Sequence, residues 1–199
     1  MIDAAEAFTA APRIPKMRKN RHVLTALVEN RPGVLSRVAN LFRRRNFNID
    51  SLTVGRTHND DCSRMTLVMD GTQEEVERLE KNLYKLIDVI QVQHMTEKPS
   101  LYRDLALIKV AVSGDNRREV HELADIFRAR IIDVSQESMI IEVTGEEGKL
   151  ENFTDLLRPF GIIEMVRTGV VAMGRGEHTL ESDAYTPRAG NLGIRKSIL

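Results

Sequence analysis

The chain has 199 residues, of which 29 are Lys or Arg and 29 are Asp or Glu, so its formal net charge is zero. That balance argues against binding nucleic acid or an anionic membrane through bulk charge, and 42% hydrophobic residues exclude a disordered chain over most of the length. One cysteine, Cys62, excludes a disulfide framework and a Cys-based zinc cluster and fits a cytoplasmic setting, and no apolar run approaches the roughly 20 residues that span a bilayer.

Residues 1–20 are poor in large apolar residues and contain Pro12 and Pro15. They read as a flexible tail without the basic start and apolar block of a secretory signal. From His22 to Val28 the pattern is a short β-rich run, and from Gly33 to Arg45 it switches to helical spacing through Val34, Val38, Leu41 and Phe42. Ile49–Val54 and Arg64–Asp70 alternate as half-buried strands. Glu74–Leu86 is helical, with Val76, Leu79, Leu83 and Leu86 on one stripe, and Ile87–Val92 closes a βαββαβ unit. A linker over residues 98–104 contains Pro99. The same order of periods then repeats: strand Leu107–Val112, helix Arg117–Arg130, strands Ile131–Val134 and Met139–Thr144, a helix striped by Leu150, Phe153, Leu156 and Leu157, and a last strand Ile162–Val171. Leu41-Phe42-Arg43 is echoed by Ile126-Phe127-Arg128, and Asn48-Ile49-Asp50 by Ile131-Ile132-Asp133. The fold class is α+β, two tandem ferredoxin-like domains over 21–97 and 105–176, with a second flexible tail over 177–199. Both helices of each unit can cover one sheet face, so the other face must be solvated, covered by a partner or used for binding.

Two short segments carry chemistry. Glu29-Asn30-Arg31-Pro32-Gly33-Val34-Leu35 sits where the first strand turns into the first helix. Asn30 is a strong N-cap type, Pro32 is tolerated in a first turn, and Gly33 allows close approach of backbone or ligand. The helix start offers free N–H groups to a carboxylate, and an ordinary capped turn explains the same residues. Asn46-Phe47-Asn48-Ile49-Asp50 joins that helix to the second strand. Asn48 suits a left-handed turn conformation, or offers its amide to a ligand.

Taken together, the two segments resemble the ACT domain, a ferredoxin-like module that often binds amino acids. Leu27–Gly55 (LVENRPGVLSRVANLFRRRNFNIDSLTVG) and Ser63–Gly71 (SRMTLVMDG) resemble the small regulatory subunit of acetohydroxyacid synthase, also called acetolactate synthase. LIDVIQV (Leu86–Val92), RDLALIKV (Arg103–Val110), IFRARIIDVS (Ile126–Ser135) and EMVRTGVVAMGRG (Glu164–Gly176) fit the same family, so the resemblance covers roughly 17–176. It implies a non-catalytic chain in branched-chain amino-acid biosynthesis, including valine and isoleucine. That chain activates a catalytic large subunit carrying thiamine diphosphate, Mg and often FAD, and confers feedback inhibition by valine, leucine or isoleucine. It further implies a homodimer through ACT domains, with effector at the dimer seam held by Asn30, Gly33, Val34, Leu35, Asn48 and Ile49; Arg31-Pro32 falls in a variable part of the family loop. An apolar pocket separates ligands one methylene apart by only about 1–3 kcal/mol, so the choice among the three amino acids stays open.

No catalytic or metal constellation is evident. His22, His58, His94, His121 and His178 are dispersed, His121-Glu122 has Asp125 where a zinc-protease helix needs a second histidine, and Cys62 stands beside Asp60, Asp61 and Ser63, where adjacent acids discourage a thiolate. Gly174-Arg175-Gly176 opens no clear helix. Arg43-Arg44-Arg45 reads as a solvated helix end that favours the dipole, with a nucleic-acid patch as its rival. Aromatics total 5% and tryptophan is absent, which weakens a ferredoxin-like RNA-binding module. A stand-alone amino-acid-binding ACT regulator is the other alternative; no helix-turn-helix segment supports a transcription regulator.

Overall fold

In the computed structural model, residues 21–180 are described. The first unit comprises β1 (Arg21–Glu29), α1 (Val34–Arg44), β2 (Ser51–Arg56), β3 (Cys62–Asp70), α2 (Gln73–Leu83) and β4 (Val89–His94). Its antiparallel sheet has the order β2-β3-β1-β4, the ferredoxin-like arrangement. The second unit comprises β5 (Ser100–Ala111), α3 (Arg117–Ile126), β6 (Arg130–Val134), β7 (Ser138–Gly145), α4 (Glu147–Leu157), a 3₁₀ turn over Arg158–Phe160 and β8 (Ile162–Arg167), with sheet order β6-β7-β5-β8. β9 (Val171–Gly174) pairs with the start of β5. Both units are therefore βαββαβ, and each owns a separate core.

Alternation builds each core. In β1, Leu24, Ala26 and Val28 face the helices and meet Met65, Leu67 and Met69 of β3, with Val34, Val38, Leu41 and Phe42 of α1 and Val76, Leu79 and Leu83 of α2 laid on top. Ala106, Ile108 and Val110 of β5 play the same part under Val120 and Ala124 of α3 and Leu150, Phe153 and Leu157 of α4. Thr72 caps α2 in a reciprocal capping box with Glu75.

Several boundaries differ from the sequence pattern, each for a local reason. α1 begins at Val34, and its N-cap is Gly33 at φ 84°, not Asn30. The left-handed residue after α1 is Asn46 (φ 57°), not Asn48. The last strand is two strands, because Gly169 (φ 85°) breaks the run between Arg167 and Val171. β5 begins at Ser100, inside the stretch expected to be linker. The residue echo does not mark equivalent positions, since Phe42 lies within α1 while Phe127 is the C-cap of α3. The tail over 1–20 and residues 181–199 lie outside the described residues; of 177–180, Leu180 is buried.

The sheet face of the first unit that turns away from its helices is covered by the chain itself. A row of Thr53, Thr66, Thr25 and Gln93 runs across it, in register over all four strands, and Thr25, Thr66, Gln91 and Gln93 are buried. β9 and the loop before it lie across this face. Arg64 Nη2 donates to the Ala172 carbonyl (2.7 Å), the Thr53 hydroxyl donates to the Val170 carbonyl (3.1 Å), and Val170 N–H donates to Ser51 Oγ (3.2 Å). Beside this contact a cleft of about 380 Å³, lined among others by Val23, Val68, Tyr102 and Val170, is bridged by an ion pair between Arg21 and Glu147. Among the described residues no helix is long and apolar enough to cross a membrane.

Candidate functional site

The β1–α1 turn is built by three commitments. Asn30 N–H donates to the Asp61 carbonyl (2.8 Å) and Asn30 Nδ2 to the Asp60 carbonyl (2.8 Å), so this side chain pins the β2–β3 hairpin against the end of β1. Gly33 occupies a left-handed conformation that side-chain-bearing residues rarely adopt. Arg37, one turn into the helix, makes a two-pronged pair with Asp88 (2.6 and 2.9 Å), and Asp88 is buried while its own carbonyl accepts from Glu29 N–H (2.9 Å).

These commitments leave the first turn of α1 bare. No side chain caps it and no acidic residue stands in it, whereas α2 has its capping box with Glu74 and Glu75, and α3 and α4 carry Glu119 and Glu147 in their first turns. An uncapped helix start exposes N–H donors and the positive end of the dipole without a local counter-charge.

The six residues singled out from sequence do not form one cluster within the chain. Asn30, Gly33, Val34 and Leu35 stand at the start of α1, and Asn48 and Ile49 follow its end. Eleven helical residues at about 1.5 Å each put the two turns roughly 16 Å apart along the axis, far more than one amino acid spans. Val34 belongs to the core at 3% exposure, Leu35 is 44% exposed, and Ile49 is half-buried against the core. Asn48 is exposed, and its amide donates to Asp50 Oδ1 (3.0 Å).

Sequence reasoning missed two features. His22 and His94, dispersed in the chain, meet across β1 and β4 with Nδ1 of His22 3.1 Å from Nε2 of His94. The Gly71 carbonyl, 3.0 Å from His22 Nε2, only accepts, so that nitrogen carries a proton; with both rings neutral, His22 Nδ1 then accepts from His94 Nε2–H. Burial pushes His94 below the ordinary histidine range, with His22 adding to it and Glu97 and Glu77 opposing. Among the described residues no group of three or more His, Cys, Asp or Glu is placed to hold a metal, and Cys62 is buried. The Arg37–Asp88 pair was equally invisible, because 51 residues separate its partners and only the fold joins them.

Residues 103–176 match the family described as the small subunit of acetolactate synthase, and residues 24–91 match the AHAS small subunit-like ACT domain. A probable acetolactate synthase small subunit of Archaeoglobus fulgidus is 56% identical over 156 residues, covering 78% of this chain and 98% of that protein. The acetolactate synthase small subunit of Mycobacterium bovis is 48% identical over 160 residues, covering 80% and 95%. The crystal structure of the Thermotoga maritima acetolactate synthase small subunit superposes with a TM-score of 0.74 at 42% identity, covering 79% of this chain and 99% of that one.

Proposed function

Because the chain belongs to the acetolactate synthase small-subunit family, we propose that it is the non-catalytic regulatory subunit of that enzyme. In this reading it activates a catalytic large subunit and makes it sensitive to valine or another branched-chain amino acid. The observation that carries the reading is a likeness spanning both domains at 56% identity. Thiamine diphosphate and its metal belong to the large subunit, where the carbon–carbon bond is formed; this chain supplies an effector site and contact surfaces.

The bare start of α1 supports the effector site. A free amino acid offers a carboxylate to the helix N–H groups, an ammonium to amide or carbonyl oxygens, and a branched side chain to Leu35 and Ile49. One protomer holds only half of these groups within reach, since the Asn48–Ile49 turn lies at the far end of α1. A twofold pair of ACT domains that sets the Asn30–Gly33 turn of one chain against the Asn48–Ile49 turn of the other brings both halves to one ligand.

Ligand-dependent thermal melts test the site directly. A ligand at one hundred times its dissociation constant adds about 2.7 kcal/mol to the folded state. Valine, leucine or isoleucine should raise the transition relative to lysine, and flat melts with all three would remove the effector site from this reading. Reconstitution with the large subunit tests the rest: acetolactate formation should rise on adding this chain and fall again on adding the same amino acid.

A further inference from the structure

A concavity of about 370 Å³ lies on the outer surface of the first unit, lined by Arg37, Asn40, Arg43 and Arg44 of α1 and by Leu86 from the turn after α2. Arg37, Asn40 and Arg44 are spaced i, i+3 and i+7, so they form one stripe along the helix. Arg37 is neutralised by Asp88 and Arg45 is held by the Asn82 side chain (3.1 Å). Arg43 and Arg44 have no acidic partner within salt-bridge distance among the described residues and point to solvent. Elsewhere Arg78 pairs with Glu74 on α2, Arg118 with Glu122 on α3 and Arg158 with Asp155 after α4, while Arg117 donates to the Ser135 and Gln136 carbonyls.

The apolar floor separates this surface from an ordinary solvated helix end. The helix dipole explains cations in a last turn. Leu86, half-buried where it rests on the core, also supplies an apolar floor to the concavity between them, and Ile87, the next residue in the chain, is 74% exposed. An apolar centre with an arginine rim is the composition of a protein-binding hot spot. The opposite sheet face is closed by β9, so the helix layer is the broad surface this unit leaves open.

We propose that the Arg43–Arg44–Leu86–Ile87 surface docks an acidic segment of the catalytic large subunit, with a carboxylate between the two guanidinium groups and an apolar side chain on Leu86. The proposal rests on the regulatory-subunit reading and names where that partner binds. Charge complementarity selects the occupant: a surface with two uncompensated cations around an apolar floor fits a segment with the opposite charge and a matching apolar residue. A small phosphate-bearing anion would use the arginines and leave the apolar floor idle.

The test titrates the full-length chain into the purified large subunit and follows acetolactate formation. R43E/R44E should raise the half-activating concentration about tenfold or more at low salt, and the gap should narrow at roughly 0.5 M salt, where exposed charges are screened. L86S/I87S should weaken activation without that salt dependence. R43E/R44E should keep the wild-type thermal transition, L86S/I87S should lower it because Leu86 also rests on the core, and both should keep the shift with branched-chain amino acid. Unchanged activation by folded R43E/R44E would overturn the docking surface alone. So would calorimetric binding of inorganic phosphate that R43E/R44E abolishes while leaving assembly intact. A wild-type chain that binds no large subunit would overturn the regulatory reading as well.

Discussion

Gly33 and Asn48 carry very different structural loads, and that difference decides how their substitutions are read. A Cβ on Gly33 meets a left-handed φ of 84° and stands 3.3 Å from Arg37 Nη1, so Gly33→Asp should cost about 1 kcal/mol of stability. It also sets a carboxylate where, in the proposed site, the effector's own carboxylate would approach. Asn48 makes one exposed side-chain contact, to Asp50, and Asn48→Ala should change stability by less than about 0.5 kcal/mol. Both substitutions should weaken amino-acid inhibition and leave activation of the large subunit near wild type, measured as paired dose–response curves. Loss of both activities in folded Asn48→Ala protein would assign this turn to large-subunit docking instead. The histidine pair gives a second residue-scale expectation. A histidine whose folded pKa is lowered stabilises the fold while neutral, so its contribution is present above the unfolded value of about 6.5 and is lost as pH falls through that value toward the lower folded one. Urea midpoints should therefore drop between pH 7.5 and 5.5, and His94→Gln, which keeps an N–H donor for His22, should flatten that drop.

At the scale of elements, periodicity made the order of strands and helices legible, because each core is built from one face of every element. Leu24, Ala26 and Val28 repeat every second residue and Val34, Val38, Leu41 and Phe42 every third or fourth, and these are the buried residues. The Asn30–Gly33 and Asn46–Asn48 turns were legible as turns, but which residue takes the left-handed conformation was not. Gly33 and Asn46, not Asn30 and Asn48, take the special roles, because helix start and stop are set by where the packed stripe ends as well as by cap type. The break in the last strand was hidden because Val166 and Val170–Val171 sustain a β-like pattern across Gly169. That glycine is where β8 leaves one sheet and β9 crosses to the other unit. Gly169→Ala would force a side chain into a positive φ and against the Ser51 hydroxyl. It should cost about 1–3 kcal/mol and loosen the contact of β9 with β2 and β3, read as faster amide exchange at Val170 and Ala172 with the two cores still folded.

For the whole molecule, the separation of the two proposed effector turns along α1 would tie ligand binding to assembly. If the ligand needs groups from two copies, it must strengthen their association by the same linkage through which it stabilises the fold. Sedimentation across a concentration series should show a dimer whose dissociation constant falls when valine is added; a stable monomer that still binds valine would remove the seam. The chain alone, supplied with thiamine diphosphate and magnesium, should form no acetolactate, and robust turnover by protein free of large subunit would contradict the regulatory assignment. The likeness to a small-subunit family was legible from the residues themselves. The partner surface was not, because Arg43 and Leu86 are 43 positions apart and become neighbours only when α1 and the end of α2 lie side by side.

The threonine row beneath β9 has a consequence for how the two halves can part. The buried hydroxyl of Thr25 finds no hydrogen-bond partner there, so the seam leaves a polar group dry, at a cost of order 1–3 kcal/mol. Wetting that surface returns solvent to Thr25, and Thr53 and Arg64 exchange carbonyl partners for water at little net loss. The contact also buries the apolar side chains of Val170 and Ala172. Because the two cores are separate clusters, opening this seam should leave both folded, and amide exchange at Val170 should run ahead of exchange at Leu24 and Ile108.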